Sequence, residues 1–311
     1  MSDDVSYTAE EVAKILRISR FTVYELIKRG ELTAYRVGRK MRIDGADLAN
    51  YKKKTKGGTP CAPKNSIPSP DCPFDSQSGL VICGQDVVLD ILTRHLERQM
   101  RNVRFLRHYA GSIEGLISLY NRTVNLATAH LWDGDSDEYN VPYVKHYLPG
   151  MRLLVINLVY RMEGFYVAPG NPKQINEWTD LTRNDVRFVN RERGSGARVL
   201  IDEKLRKLDI DSRHIIGYEN EELSHLAVAS CVARGEADVG LGTEKAAMQV
   251  KNVEFIPLQK ERYDMVLLKQ DLEKPHFQAL ISILKSKAFQ KEVDGMGGYD
   301  ISRMGDVMAE I

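Results

Sequence analysis

The densest run of chemistry in this chain is Arg191-Glu192-Arg193-Gly194-Ser195-Gly196-Ala197-Arg198, which sets three guanidinium groups around a Gly-Ser-Gly step. A helix-like segment from Ala197 to about Leu208 follows, so the step reads as a helix N-terminus. Free amides at such a terminus bind anions with help from the helix dipole, and Gly or Ser lets a ligand approach closely. Gly111-Ser112 precedes a second helical segment in the same way. A ligand held between the two steps would bridge them, although Gly194-Ser195-Gly196 taken alone reads equally well as a turn.

A different chemistry marks the beginning of the chain. Leu32 to Ile43 reads as a hairpin with Gly38 at its tip, and it carries Arg36, Arg39, Lys40 and Arg42, suited to phosphates. Just before it, Ser19, Arg20, Thr22 and Tyr24 open a short helix and are placed to meet base edges or backbone. Through Lys56 there are 13 Lys and Arg against 8 Asp and Glu, net +5. The remainder holds 31 against 35, net −4, so a polyanion partner is expected for the first part only.

Other groups carry less. His130 and His225 could serve as acid or base, yet structural histidines are the commoner outcome. Asp133, Asp135, Asp137 and Glu138 lack the later bidentate Glu of a calcium loop and read as a solvated loop. Tyr263 is equally suited to closing over a ligand and to filling space. Cys61, Cys72, Cys83 and Cys231 form no C-x-x-C pair and no disulfide framework. With no nucleophile beside a base, no P-loop and no metal cluster at ligand spacing, the chain is expected to be neither an enzyme nor a carrier of a fixed cofactor.

The elements that must position these residues follow from periodicity. At 311 residues, 43% hydrophobic and 28% charged, the chain has the composition of a folded multidomain protein. No apolar run reaches membrane-spanning length and the first residues lack signal-peptide character, which predicts a cytoplasmic location without membrane contact. Thr8 with Glu11 forms a capping box for a first helix burying Val12, Ile15 and Leu16. A second helix from Ser19 or Arg20 buries Val23, Leu26 and Ile27 and stops at Gly30. This is the helix-turn-helix plan, with the second helix bound for the major groove. Residues 57–77, rich in Pro and Gly, read as a linker.

From residue 78 onward strand-like and helix-like runs alternate, predicting a mostly parallel sheet with covering helices in two lobes. The first lobe is read from Leu80–Gly84, Val87–Gln99, Val103–Tyr109, Glu114–Arg122 and Val124–Leu131. The second follows from Val186–Val189, Ala197–Leu208, Leu223–Arg234, Ala237–Leu241 and Val253–Pro257. Leu153–Tyr160 and Gly164–Ala168 cross between the lobes, and Lys274–Phe289 is helical.

Two resemblances sharpen this reading. Tyr7 to Lys52 resembles the excisionase-type, MerR-related winged helix, notably in Thr8-Ala9-Glu10-Glu11-Val12-Ala13, Gly30-Glu31-Leu32 and Tyr35-Arg36-Val37-Gly38-Arg39. Residues 78 to 311 resemble the periplasmic-binding-protein-like domain found fused to such winged helices and to some molybdenum-cofactor proteins, and more distantly the type 2 oxyanion-binding proteins. The matching pieces include Gly111-Ser112-Ile113-Glu114-Gly115-Leu116, Thr128-Ala129-His130-Leu131, Asn220-Glu221-Glu222-Leu223-Ser224-His225 and Glu261-Arg262-Tyr263-Asp264, together with the Arg191 run. In phosphate-binding members an Arg in the R-x-x-G-S-G arrangement, matched here by Arg191, gives charge-assisted bonds to the oxyanion, and the residue after Gly-Ser-Gly is Thr, where this chain has Ala197.

The fold implied is a small α+β winged helix-turn-helix, residues 1–56, followed by a two-lobed α/β periplasmic-binding-protein-like domain, residues 78–311. The resemblance implies ligand contacts from Gln85, Gly111, Ser112, Ala129, His130, Arg191, Arg193, Gly194, Ser195, Gly196, Arg198, Glu222, Ser224 and Tyr263. It implies a ligand-responsive transcription regulator that binds double-stranded DNA and senses an oxyanion such as molybdate or tungstate. A small organic anion is the alternative effector, and an excisionase-like factor whose large domain binds protein is the alternative class. One small winged helix has a limited footprint, so a homodimer on two half-sites is expected.

Overall fold

The computed structural model describes residues 6–16, 18–28, 32–37, 40–48, 51 and 79–311. Gly30, Gly38, Arg39, the expected linker and Cys61 and Cys72 lie outside the described residues, as do the side chains of Arg36 and Lys40. The chain divides into two units, Met1–Pro70 and Asp71–Ile311.

In the first unit β1 (Ser6–Thr8) leads directly into α1 (Ala9–Leu16), followed by α2 (Arg20–Lys28), β2 (Tyr35–Val37) and β3 (Lys40–Asp44). The capping box forms: Glu11 donates its amide to Thr8 Oγ1 at 3.3 Å while its carboxylate accepts from the Thr8 amide at 2.8 Å. Ser19 caps α2 by accepting from the Thr22 amide at 3.1 Å. Sequence periodicity does not announce β1, which pairs antiparallel with β3 and extends the hairpin to the order β1-β3-β2. Ala9, Val12 and Ala13 are buried with Leu16 partly covered, the i, i+3, i+4, i+7 face of α1. Ile15 falls off that face and is exposed, against expectation.

The second unit is built on a nine-stranded sheet. Its first lobe comprises β4 (Gly79–Cys83), α3 (Val88–Gln99), β5 (Arg104–His108), α4 (Ser112–Tyr120) and β6 (Leu126–Ala129). The three strands are parallel, with β4 between its neighbours, as alternating β and α segments require. A hairpin of β7 (Trp132–Asp133) and β8 (Glu138–Tyr139), then α5 (Val141–Tyr147), precede the long β9 (Leu153–Val167). The second lobe comprises β10 (Phe188–Arg191), α6 (Gly196–Lys207), β11 (Glu221–Glu222), α7 (His225–Ala233), β12 (Val239–Thr243) and α8 (Glu244–Ala247). The chain returns through β13 (Glu254–Leu268) to α9 (Pro275–Leu284), α10 (Lys287–Asp294) and β14 (Val307–Glu310).

Within each lobe the expected parallel pairs form, but β9 and β13 make the sheet mixed. Both are 15 residues long, run antiparallel to one another and carry the ladder from one lobe into the other. The two apolar segments read separately on either side of 161–163 are therefore one strand, and Val253–Pro257 is only the start of β13. The tail breaks into two helices because Ser286 caps the second, accepting from the Phe289 amide at 3.3 Å. Separate cores pack against the two lobes, one around Leu92, Leu126 and Phe277 and another around Phe165, Phe188 and Ile201. The acidic loop closes the β7–β8 hairpin, where Asp133 accepts from the Ser136 amide at 2.9 Å. No helix among the described residues is long and apolar enough to cross a membrane.

Candidate functional sites

On the first unit, Arg20, Thr22 and Tyr24 stand exposed on α2, with Ser19 exposed at its N-cap. Arg20 and Tyr24, one turn apart, associate with the guanidinium 5.6 Å from the ring centroid, and Arg20 also pairs with Glu10 on α1 at 2.6 Å. Arg42 is half-buried on β3, opposite Thr8 and Tyr35 of the flanking strands.

In the second unit the strands of both lobes end at an interlobe cleft with a cavity of about 640 Å³. Gln85, Gly111, Ser112, His130, Arg191, Ser195, Gly196, Ser224 and Tyr263 all line it, brought together from segments up to 178 positions apart in the chain, the separation of Gln85 and Tyr263. The two glycine steps meet directly: the Ile113 amide at the start of α4 donates to the Gly194 carbonyl at 3.0 Å, joining the lobes. Gly194 itself has φ +86°, a left-handed conformation that favours glycine. Ser195 and Ser224 cap their helices, accepting from the Arg198 and Ala227 amides at 3.2 and 3.1 Å.

Arg191 is buried at the cleft wall. Its guanidinium forms two 2.7 Å bonds to the adjacent Glu192 carboxylate and a 3.0 Å bond to Gln85 Oε1 in the opposite lobe. Ala129, Arg193, Gly194, Arg198 and Glu222 are not among the lining residues. Arg193 is 74% exposed beside Glu219, because the turn Glu192–Ser195 ends the strand alternation that would have aimed it inward. Arg198 bonds Asp202 at 3.1 Å and Glu221 at 2.9 Å and covers the Tyr218 ring, inside the second lobe. Glu222 contributes its carbonyl, accepting from Arg191 Nε at 3.2 Å, and Ala129 is a buried core residue of β6.

The floor of the cleft is made by residues that motif reading did not select. Where β9 and β13 pass between lobes, Arg161 faces Glu261 across the ladder and bonds both Glu261 and Asp86. Its guanidinium lies 4.2 Å from the Tyr263 ring centroid. Asp86 also accepts from the Tyr299 hydroxyl at 2.7 Å, and the Tyr263 hydroxyl lies 2.6 Å from Thr128 Oγ1. Tyr263 is thus packed into the floor. Burial pushes the His130 imidazole down despite Glu261, so it stays neutral near pH 7. Although burial opposes ionisation, Arg161 and His130 hold Glu261 well below the usual carboxylate range. Burial, then the adjacent Glu261, hold Glu163 well above it.

Among the described residues, His130, Glu163 and Glu261 present ligand-type atoms all within 4.8 Å of one another. The signal available for this floor was the interruption itself: Arg161 and Glu163, two residues apart on one face of a strand otherwise rich in Leu, Val and Ile.

A family model described as a PBP superfamily domain matches residues 93–285, and one described as a helix-turn-helix domain matches residues 6–56. The protein YvgK of Bacillus subtilis (strain 168) is 42% identical over 311 residues, the full length of both chains. The sulfate-binding protein SubI of Mycobacterium tuberculosis H37Rv shares the fold at 14% identity, covering 71% of this chain and 86% of that one, with a TM-score of 0.53. A mutant of the Corynebacterium glutamicum protein OxyR, with hydrogen peroxide bound, does so at 14% identity over 93% of this chain and 90% of its own, with a TM-score of 0.51. On the family match and the full-length relative together, the chain belongs to the PBP superfamily, with a helix-turn-helix domain at its N-terminal end.

Proposed function

We propose that this protein is a ligand-responsive transcription regulator that reads DNA through α2 and the β2–β3 wing and takes a small anionic effector into the interlobe cleft. The observation that carries the reading is the convergence of Arg191, Ser195, Ser224 and the start of α4 on one cavity, in a chain that also carries a helix-turn-helix unit with an excess of basic residues. For binding to regulate, the effector must favour one arrangement of the protein, typically by about 1–3 kcal/mol.

An organic anion fits this cleft better than a bare oxyanion. The cavity is several times the size of a tetrahedral ion, and the exposed side chains of Tyr109, Leu223 and Leu226 line it. Such apolar surface gains from covering a hydrocarbon or aromatic body. An oxyanion of the molybdate or tungstate type remains the second reading, favoured by the Arg191 to Gly196 arrangement and by the sulfate-binding protein that shares the fold. The regulator is proposed to act as a homodimer in the cytoplasm, without a catalytic role.

The test is calorimetry of the full-length protein against aromatic and aliphatic carboxylates, molybdate, tungstate, sulfate and phosphate. Saturable binding of a carboxylate, weakened in Arg191→Ala, supports the favoured reading. Molybdate or tungstate binding with none by carboxylates selects the second. No binding by any of them overturns both. Fluorescence anisotropy with duplex DNA tests the other half: Arg20→Ala should weaken binding, and unchanged affinity would remove α2 from the interface.

A further inference from the structure

At the floor of the cleft three buried carboxyl groups, Asp86, Glu163 and Glu261, cluster about the Arg161 guanidinium. Asp86 and Glu261 share that guanidinium. Glu163 does not: it is fully buried, its carboxyl lies against that of Glu261, and no cation pairs with its oxygens. A buried carboxyl without a counter-charge is costly, and a chain that keeps one generally supplies something to neutralise it.

The neighbours of Glu163 are arranged to share such a counter-ion. His130 Nδ1 is 2.7 Å from Glu261 Oε2. One proton is shared at that contact, and a metal ion bound by both groups would take its place. His225 brings a second imidazole, its ring centroid 6.1 Å from that of His130 and its Nδ1 buried without a partner. The three donors arrive from separate segments, the β6–β7 connection, β9 and β13, so the folded state alone assembles them.

We propose that His130, Glu163 and Glu261 form a binding site for a divalent transition-metal ion, with His225 as the adjacent nitrogen donor. Imidazole combined with carboxylates suits Zn²⁺, Mn²⁺, Fe²⁺ or Co²⁺, whereas an all-oxygen set would suit Ca²⁺ or Mg²⁺. A divalent ion bound here would displace the proton that burial favours on Glu163 and balance the carboxylate so formed. The ion would enter through the cleft, which His130 lines, and would remove negative charge from beneath any anion bound there. The site stands whether or not the cleft's effector is the one proposed above.

Chelator-treated full-length protein titrated with Zn²⁺, and separately with Co²⁺, tests this by equilibrium dialysis with the metal counted per chain. One ion per chain is expected, with affinity reduced at least tenfold in Glu163→Gln and unchanged in a Cys61→Ser, Cys72→Ser double variant. No stoichiometric uptake, or uptake equal in wild type and Glu163→Gln, overturns the proposal and leaves a proton as the counter-ion of Glu163. X-ray absorption on the Zn²⁺-loaded wild type needs no variant: a nitrogen and oxygen shell with at least one imidazole is expected, and sulfur in the shell also overturns it.

Discussion

Arg161 and Arg191 are equally buried, yet they are held in opposite ways. Arg191 is satisfied within its own lobe, by the carboxylate of the next residue and by the Glu222 carbonyl on the neighbouring strand, with Gln85 its one tie across the cleft. Arg161 is satisfied only by distant segments, Asp86 before α3 and Glu261 on the opposite strand. Glu192 keeps some contact with solvent, whereas Glu261 has none. A guanidinium with a hydratable neighbour can be lost or lent to a ligand; one that neutralises two enclosed carboxylates is part of what lets the chain fold.

The sharpest way to break this contrast is to remove each in turn. Arg161→Ala strands two buried carboxylates and should lower stability by about 3–5 kcal/mol in urea unfolding. Arg161→Lys should recover only part, because an ammonium cannot match the two-sided geometry. Arg191→Ala leaves Glu192 free to hydrate, so a loss of about 1–2 kcal/mol is expected, alongside the loss of effector binding. Equal losses for the two alanine variants would sink the comparison.

Arg187 supplies an intermediate case. Its guanidinium clasps Asp238 with two 3.0 Å bonds and Lys173 adds a further cation at 2.8 Å. Partial burial would raise the Asp238 carboxyl, but these bonds lower it to about 2. Because the folded value lies below the unfolded one, the stabilisation is complete above roughly pH 4 and disappears as pH falls through about 2. After discounting for the half-exposed Arg187, Asp238→Asn should cost about 1 kcal/mol at neutral pH and flatten the acid limb of the stability curve. An unchanged acid limb would remove this pair from the series. At the far end, Arg193→Ala should change stability by less than about 0.5 kcal/mol and leave effector binding intact, since its side chain is in solvent. A loss of binding there would place the effector outside the cleft.

The parts of this architecture that were legible in the sequence are those governed by local rules. Thr8 and Glu11 announce a helix start through a bond pattern three residues wide, and the alternating segments of both lobes emerge near their predicted bounds. Gly111-Ser112 and Gly194-Ser195-Gly196 were recognisable as helix starts for the same reason. Arg193 and Arg198 were grouped with Arg191 by proximity in sequence, but a four-residue turn and one turn of helix redirect them away from the lining. The floor was illegible because its members, Asp86, Arg161, Glu163 and Glu261, are joined only by cross-strand register and by packing between lobes. Residues 161–163 look in sequence like a break between two apolar runs, but they are the middle of one strand.

That unbroken strand also fixes how the lobes can move. Two loops joining rigid bodies would swivel freely, like a door on pins. Here the bodies are joined by a pair of 15-residue ribbons whose hydrogen bonds continue through the junction, with register irregularities at Pro257/Gln259 and Tyr263/Asp264. This is a leaf spring. Displacement must be taken up as distributed torsion and bending, softest at the two irregular points and restored elastically when the load is removed. In such a spring, any ligand that drew the lobes together would be opposed by the stiffness of the ribbon.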